Sequence, residues 1–440
     1  MLNTRNLAFV ALVAGTPAFA QDCVIGPENT SYATDDVFYD VASGWMVKPG
    51  ELLPQRTLDK DSVALLTLLN AELKKKGSLF ALIVPPKRGL FLPDTVYEDA
   101  IASFGSRFEK QQLLDDYAAL LDQLQTTGAF VPEFYDPADQ DSIGYLKTDH
   151  HWDPSLAFSA ARGLWNALAD QGIYRLMSDD NAYPPQRVVT SDRTGSLARL
   201  VEEACGIDFP KEAFTYLEVA KDQSAVVVDA NSLFGDVANE GFDVVLLGTS
   251  FSSENTGLHF SDGLEMWLQA PVTNLAISGG GLSSSFEPIL NDTAAFESEL
   301  IIWEWSPNET PRSSDPVRVA SAVMLNQCDG TSPSGAFELV GDDWSDWRDF
   351  AGHVVQVVPE TSIRNTLIVE ADYGNDSQQF LVEKKTRVPN EFRRDEWITM
   401  FSKIEDDGAF VQPNRFRIRL DGFDGRASGT IQTCGLNGQL

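Results

Sequence analysis

The sequence predicts an α/β protein, a mostly parallel sheet flanked by helices, followed by an all-β sandwich. Three observations lead there. Short, unbroken apolar runs alternate with amphipathic helical segments up to residue 305. A polar, proline-bearing stretch, SPNETPRSSDP at 306–316, then ends that pattern. Beyond it, only short alternating runs follow. Strands that alternate with helices imply a parallel sheet covered on both faces, and runs of short alternating strands imply packed antiparallel sheets.

In chain order, DSVALLTLLNAELKKK (61–76) has helical period and is stopped by Gly77. SLFALIVPP is a buried strand ended by Pro85 and Pro86. RFEKQQLLDDYAALLDQLQTTG is a second amphipathic helix closed by glycine, and AFVPEFYDP reads as the next strand. Residues 154–171 read as a helix. FDVVLLGTS, VTNLAISGGG and ELIIWEW are strands, each running into a turn or polar residues. After the 306–316 linker, HVVQVVP, NTLIVEAD, QQFLVEKKTRV, EWITMFSKI, RFRIRLDG and SGTIQTC read as strands, with no helix among them.

The first 20 residues read as a secretory leader: Arg5, an apolar run, then Ala18-Phe19-Ala20. The run is too short to span a bilayer, so a soluble, exported protein starting near Gln21 is expected, with no integral anchor. The expected division is a leader at 1–20, an α/β domain at 21–310 and a β-sandwich domain at 317–440. Cys23, Cys205, Cys328 and Cys434 allow three pairings. Their spacing favours Cys23–Cys205 and Cys328–Cys434, each closing one half of the chain. No CxxC is present, which argues against a zinc knuckle or a thioredoxin-type site.

The formal charge is −32. Such a surface repels phosphates and excludes nucleic acid as a partner. Residues 316–440 carry 13 Lys+Arg and 19 Asp+Glu, against 20 and 46 in residues 1–315. The acidity therefore belongs to the first part of the chain.

Ligands of open α/β sheets sit beyond the carboxyl ends of the strands. In VVLLGTSFS (244–252), a strand ends at Gly248, and Thr249-Ser250 open a turn before a helix. Ser250 there is either a nucleophile with its own amide as an oxyanion donor, or a helix cap. In GYLKTDHHWDPS (144–155), Asp149 and His151 lie two apart and share one side of an extended segment, with His150 pointing away. They form either a carboxylate–imidazole relay or a structural pair. Adjacent histidines on opposite sides do not share an ion, and His259 and His353 add no ligand spacing, so neither a metal nor a cofactor is expected. SGGG (278–281) offers closely approaching amides, with Gly280 the candidate second oxyanion donor, or else a flexible turn.

KTDHHW (147–152), LLGTSFS (246–252), SGGG (278–281) and IIWEW (301–305), in that order, resemble the periplasmic alginate O-acetyltransferases of the AlgX and AlgJ type, SGNH-hydrolase-like enzymes. The leader, both cysteine pairs and the C-terminal β domain fit that plan. Ordinary SGNH hydrolases place Gly-Asp-Ser early and Asp-x-x-His late. Gly-Thr-Ser and a preceding Asp-x-His here match the permuted AlgX order instead. The resemblance implies Ser250 as nucleophile, His151 as base and Asp149 as its orienter. The SGNH asparagine is matched by neither Asn274 nor Asn255 clearly. It also implies a polyuronate acceptor, an acetyl donor fed by a membrane acyltransferase or a carrier, other polysaccharide-export proteins as partners, and a periplasmic location.

In NRFRIRLDG (414–422), Arg415, Arg417 and Arg419 share one face of a strand, about 7 Å apart. Guanidinium forks match carboxylates. With Lys384, Lys385, Arg387, Arg393 and Arg394 they could track a uronate polymer, and Trp344, Trp347 or Trp397, where exposed, could stack on sugar rings. The resemblance implies a carbohydrate-binding module. A solvated sheet face paired with acidic residues is the alternative. For the whole chain, a polysaccharide O-acetyltransferase stands beside a secreted carbohydrate esterase and a non-catalytic glycan-binding subunit.

Overall fold

The structure, a computed structural model, describes residues 23–435 apart from 27–28, 35, 106–107, 137–143, 174–183, 220–243, 290–297, 310, 312, 326–333, 350–351 and 385–394. The expected leader thus lies outside the described residues.

Four parallel strands form the central sheet in the order Leu79–Ile83, Leu300–Glu304, Val244–Leu247, Val272–Asn274. In register, Ile302 faces both Ala81 and Leu246, and Leu246 faces Asn274. The three longer strands are apolar, save for Glu304 at the end of one, because each face meets a separate core. Phe80, Leu82, Val245, Leu247, Ile301 and Trp303 pack with helices Lys60–Lys75, Lys110–Gln125 and Asp315–Leu325. Ala81, Ile83, Val244, Leu246, Leu300 and Ile302 pack with Asp94–Phe104, Pro154–Asp170 and Phe260–Leu268. Caps fix the helix starts: Asp59 accepts the Ser62 amide at 2.7 Å and Asp153 that of Leu156 at 2.9 Å.

AFVPEFYDP does not form a full strand. Only Phe130 bridges Ala81, because Pro132 soon removes a ladder donor. Two further antiparallel units are present beyond the expected elements: a four-stranded sheet of short strands between Val24 and Val47, and the hairpin Pro185–Arg193/Glu212–Val219. Cys23 bonds Cys205, tying the first unit to helix Ser196–Cys205. Cys434 is also disulfide-bonded, and its expected partner Cys328 lies outside the described residues.

The C-terminal part has two four-stranded antiparallel sheets. One runs Ser334–Val340, Arg426–Cys434, Val354–Pro359, Trp397–Met400, and the other Arg348–Asp349, Arg415–Leu420, Leu367–Asp372, Ser377–Val382. One core joins their inner faces. The expected absence of helix past the linker is corrected by Asp315–Leu325, which starts with Asp-Pro as helices often do. This helix packs Val354, Ile398 and Met400 into the same core as Leu65 and Trp303. Its Arg318, fully buried, reaches Asp61 at 2.7 Å and the Ser402 carbonyl at 2.7 Å.

Candidate active site

Ser250 follows strand Val244–Leu247 at the carboxyl edge of the parallel sheet, in a turn. It is not a helix cap: the next α-helix begins only at Phe260. The Ser250 hydroxyl instead lies 2.8 Å from His151 Nε2, and His151 Nδ1 lies 2.6 Å from Asp149 Oδ1. An ionised carboxylate only accepts, so Nδ1–H donates to Asp149, and Nε2 is left to accept from Ser250. The structure brings these three side chains together from segments about a hundred residues apart in sequence, 99 between His151 and Ser250.

The route differs from the expected one. Residues 147–151 bend, and an isolated bridge from Tyr145 to Trp152 closes them. His150 therefore does not point away. Its ring centroid lies 3.8 Å from that of His151, and its Nδ1 meets the Ser196 hydroxyl at 2.6 Å. The ligand atoms of Asp149, His150 and His151 fall within 4.8 Å of one another, but an ion there would compete with the bonds from both His151 nitrogens.

Long-range contacts that the sequence did not disclose hold the bend. The Arg88 guanidinium, buried against Glu51 at 2.8 Å, donates to the carbonyls of Leu146 (2.9 Å) and Lys147 (2.6 Å). Glu212 accepts the amides of Lys147 (2.6 Å) and Thr148 (2.8 Å). The amides of Leu197 and Ala198 both donate to the Thr148 carbonyl at 3.1 Å. That approach needs glycine at 195, where a Cβ would lie 1.9 Å from the Thr148 oxygen. Asp149 also accepts from Ser196 at 2.9 Å and pairs with Arg193 at 2.9 Å. Burial pushes its carboxyl up, but the His151 hydrogen bond and the charges of His151, Arg193 and His150 outweigh that and hold it well below the usual range. His150 goes down to about 3, chiefly through burial and then through the adjoining His151.

The nucleophile turn is clasped from both sides. Trp152 Nε1 donates to the Phe251 carbonyl at 2.8 Å. From below, the fully buried Glu304 carboxylate accepts the Thr249 amide at 2.8 Å and the Ser252 hydroxyl at 3.0 Å. Among the described residues, the Ser250 amide meets no acceptor. A cavity of about 570 Å³ opens in front, lined by Ser250, Thr249, His150, Lys48, Gly279 and Gly281 among others. Gly280 does not line it. Its amide donates to the Ile277 carbonyl at 3.4 Å, so the cavity-facing glycines are its two neighbours. Asn274 is spent on the Ser252 carbonyl at 2.8 Å, and Asn255 accepts from the Ser253 hydroxyl at 3.0 Å.

On the C-terminal sandwich, Arg415, Arg417 and Arg419 do share a face. Arg417 lies 4.6 Å from both the Trp344 and Trp347 rings, Arg415 4.7 Å from Trp347, and Arg419 5.0 Å from Trp344. Arg415 pairs with Asp372 at 2.7 Å, Arg417 with Glu370, and Arg419 loosely with Asp421 at 3.8 Å. Two expected glycan contacts are corrected. Trp397 is 1 % exposed in the sandwich core, and Lys384 is buried. Lys385, Arg387, Arg393 and Arg394 lie outside the described residues. Among the described residues, no helix is long and apolar enough to cross a membrane.

Known proteins share this chain's sequence pattern and fold. Alginate biosynthesis protein AlgX of Pseudomonas aeruginosa is 25 % identical over 270 residues, 60 % of this chain and 54 % of the relative. AlgX of Pseudomonas putida is 28 % identical over 53 % of this chain and 48 % of the relative. The chain thus spans about half the length of these relatives. The probable alginate O-acetylase AlgJ of Pseudomonas syringae pv. tomato is 26 % identical over 66 % of this chain and 70 % of the relative. The solved structure of Pseudomonas aeruginosa AlgX superposes with a TM-score of 0.65 at 20 % identity, covering 88 % of this chain and 92 % of that one, and shares the fold. Residues 42–307, more than half the chain, match the family described as SGNH hydrolase-like domain, acetyltransferase AlgX, and the chain belongs to that family.

Proposed function

We propose that the protein is an O-acetyltransferase that moves an acetyl group, through an acetyl-serine at Ser250, onto hydroxyls of an exported polyuronate. The observation that carries this reading is the hydrogen-bonded series Asp149–His151–Ser250, at 2.6 and 2.8 Å, on the rim of a cavity of about 570 Å³. Ser250 Oγ attacks the acetyl carbonyl while its proton passes to His151 Nε2. Asp149 stabilises the imidazolium so formed. The Ser250 amide is the first donor to the tetrahedral oxyanion, and an amide at Gly279 or Gly281 is the second. The intermediate collapses, and the donor's leaving oxygen takes the proton from His151. A sugar hydroxyl then gives its proton to His151 and attacks the acetyl-serine, the acetyl–Oγ bond breaks, and the departing Ser250 oxygen takes the proton from His151.

The acceptor class follows from relatives named for alginate biosynthesis and alginate O-acetylation. The arginine–tryptophan face of the sandwich suits it, because guanidinium and indole together fit a carboxylated sugar. The acetyl donor is fed by a membrane acyltransferase or a carrier, and other polysaccharide-export proteins are partners. Residues 1–20 serve as a leader to the periplasm, 21–310 as the acetyltransferase domain and 317–440 as the glycan-binding domain. The test is to incubate the enzyme with p-nitrophenyl acetate and oligomannuronate and to weigh the sugar by mass spectrometry. Acetylated oligomannuronate from the wild type, and none from Ser250→Ala, is expected. Free acetate alone would make the protein an esterase. No acetyl release would leave a glycan-binding subunit.

A further inference from the structure

The turn carrying Ser250 rests on a carboxyl group that the transfer scheme does not use. Glu304 ends strand Leu300–Glu304 with no exposed surface, between the fully buried Trp303 and Trp305. Three donors converge on it: the Thr249 amide at 2.8 Å, the Ser252 hydroxyl at 3.0 Å and the Thr249 hydroxyl at 3.1 Å. Gly248 lets the carboxylate come this close, since a Cβ there would lie 2.6 Å from Glu304 Oε2. Among the described residues, no lysine, arginine or histidine pairs with Glu304. The donors come from the residues flanking Ser250, while Ser250 itself keeps its hydroxyl on His151.

We propose that Glu304 is the positioning residue of the nucleophile: its carboxylate clamps Thr249 and Ser252 so that Ser250 stands within reach of His151 and its amide is left to the cavity. This rests on the reading of Ser250 as nucleophile. An ionised carboxylate can accept from all three donors at once. A protonated one must spend an oxygen as donor. The Thr249 hydroxyl, which already receives the Phe251 amide at 3.3 Å, would then have to turn its own proton away. Ionisation of Glu304 therefore sets the clamp. Burial raises its pKa to about 7, against the pull of the Thr249 and Ser252 hydrogen bonds. The other titratable groups that bear on it are Glu309, which pushes it further up, and the buried Tyr145 hydroxyl. The clamp therefore loosens as pH falls through neutrality. Glu304→Gln fixes the acid's pattern permanently, with one accepting oxygen and one donating NH₂.

The experiment follows acetylation of Ser250 by p-nitrophenyl acetate in the pre-steady state, from roughly pH 5 to 9. Wild type, Glu304→Gln and Ser252→Ala are compared. Glu304→Gln is expected to acetylate about 10- to 100-fold more slowly at the alkaline end, the penalty of a misplaced reacting group. The acid limb should need two deprotonations in the wild type and one in Glu304→Gln. Ser252→Ala removes a bond that favours the ionised form, so its acid limb should move to higher pH. A purely structural role would scale the rate without moving the limb. A Glu304→Gln enzyme with wild-type rate and limb overturns the inference, and so does an unmoved limb in Ser252→Ala. The Ser252→Ala result decides alone if Glu304→Gln does not fold. A wild type that never acetylates Ser250 overturns the nucleophile reading, and this inference with it.

Discussion

Replacing Arg88 by methionine should loosen the bend that carries Asp149 and His151. The guanidinium is 1 % exposed and donates to Glu51, Met46, Leu146 and Lys147, with its plane 4.7 Å from the Trp45 ring. Methionine keeps the apolar stem and removes every donor. Glu51, with no exposed surface, is then left with the Lys48 amide at 3.0 Å, while Lys147 keeps the Met46 amide at 2.9 Å. Breaking a buried pair from one side costs about 3–5 kcal/mol. Burial of the thioether offsets about 1 kcal/mol of that. The expected net loss is about 3 kcal/mol, roughly two orders of magnitude in the unfolding constant. Urea titration reads it directly. A second change, Glu51→Gln, removes the stranded charge and should restore about 1–2 kcal/mol. Ser250 acetylation should slow about tenfold or more, because Leu146 and Lys147 lead into Asp149. An Arg88→Met protein within about 1 kcal/mol of wild type would refute the reasoning. So would a double variant less stable than the single one.

Gly248→Ala should clash with Glu304 Oε2, 2.6 Å from the new Cβ, and abolish acetyl release in protein that still binds oligouronate; full activity would show the turn to be slack. His150 is held at about 3, below its ordinary 6.5, so the unfolded chain binds its proton first as pH falls. Stability from this group is complete above about 6.5 and is lost towards 3, by at most a few kcal/mol for a ring about a quarter exposed. The stability gap between wild type and His150→Gln should shrink accordingly between neutral and acid solution, and a constant gap in denaturant titrations would contradict it. Arg417→Met removes a guanidinium 4.6 Å from both Trp344 and Trp347, and oligouronate affinity by calorimetry should fall about tenfold. An unchanged affinity would turn that face into a solvated surface.

The parallel sheet was legible because its longer strands are buried on both faces, which leaves unbroken apolar runs such as residues 300–303. The same rule hid Trp397. Helix Asp315–Leu325 covers the outer face of that strand, so Ile398 and Trp397 are both buried and alternation no longer marks an exposed side. The helix itself carried a start signal in Asp315-Pro316, masked by the proline-rich stretch before it. Asp149 and His151 were legible as a pair two residues apart, although a bend and not an extended segment unites them, and the bend turned His150 inward. Arg88, Arg193, Ser196 and Glu212 lay beyond reach of any local pattern, since their partners stand 37 to 65 residues away and nothing nearby marks them. Glu304 had one available sign: a charged residue closing an otherwise apolar strand at the ligand-binding edge of the sheet.

The most direct test is to find where the acetyl group sits during turnover. The protein is mixed with p-nitrophenyl acetate, quenched in acid and digested, and the peptides are mapped by mass spectrometry. One acetyl on Ser250 is predicted, absent from His151→Ala. Turnover with an unmodified Ser250, or an acetyl carried on another residue, would contradict the account.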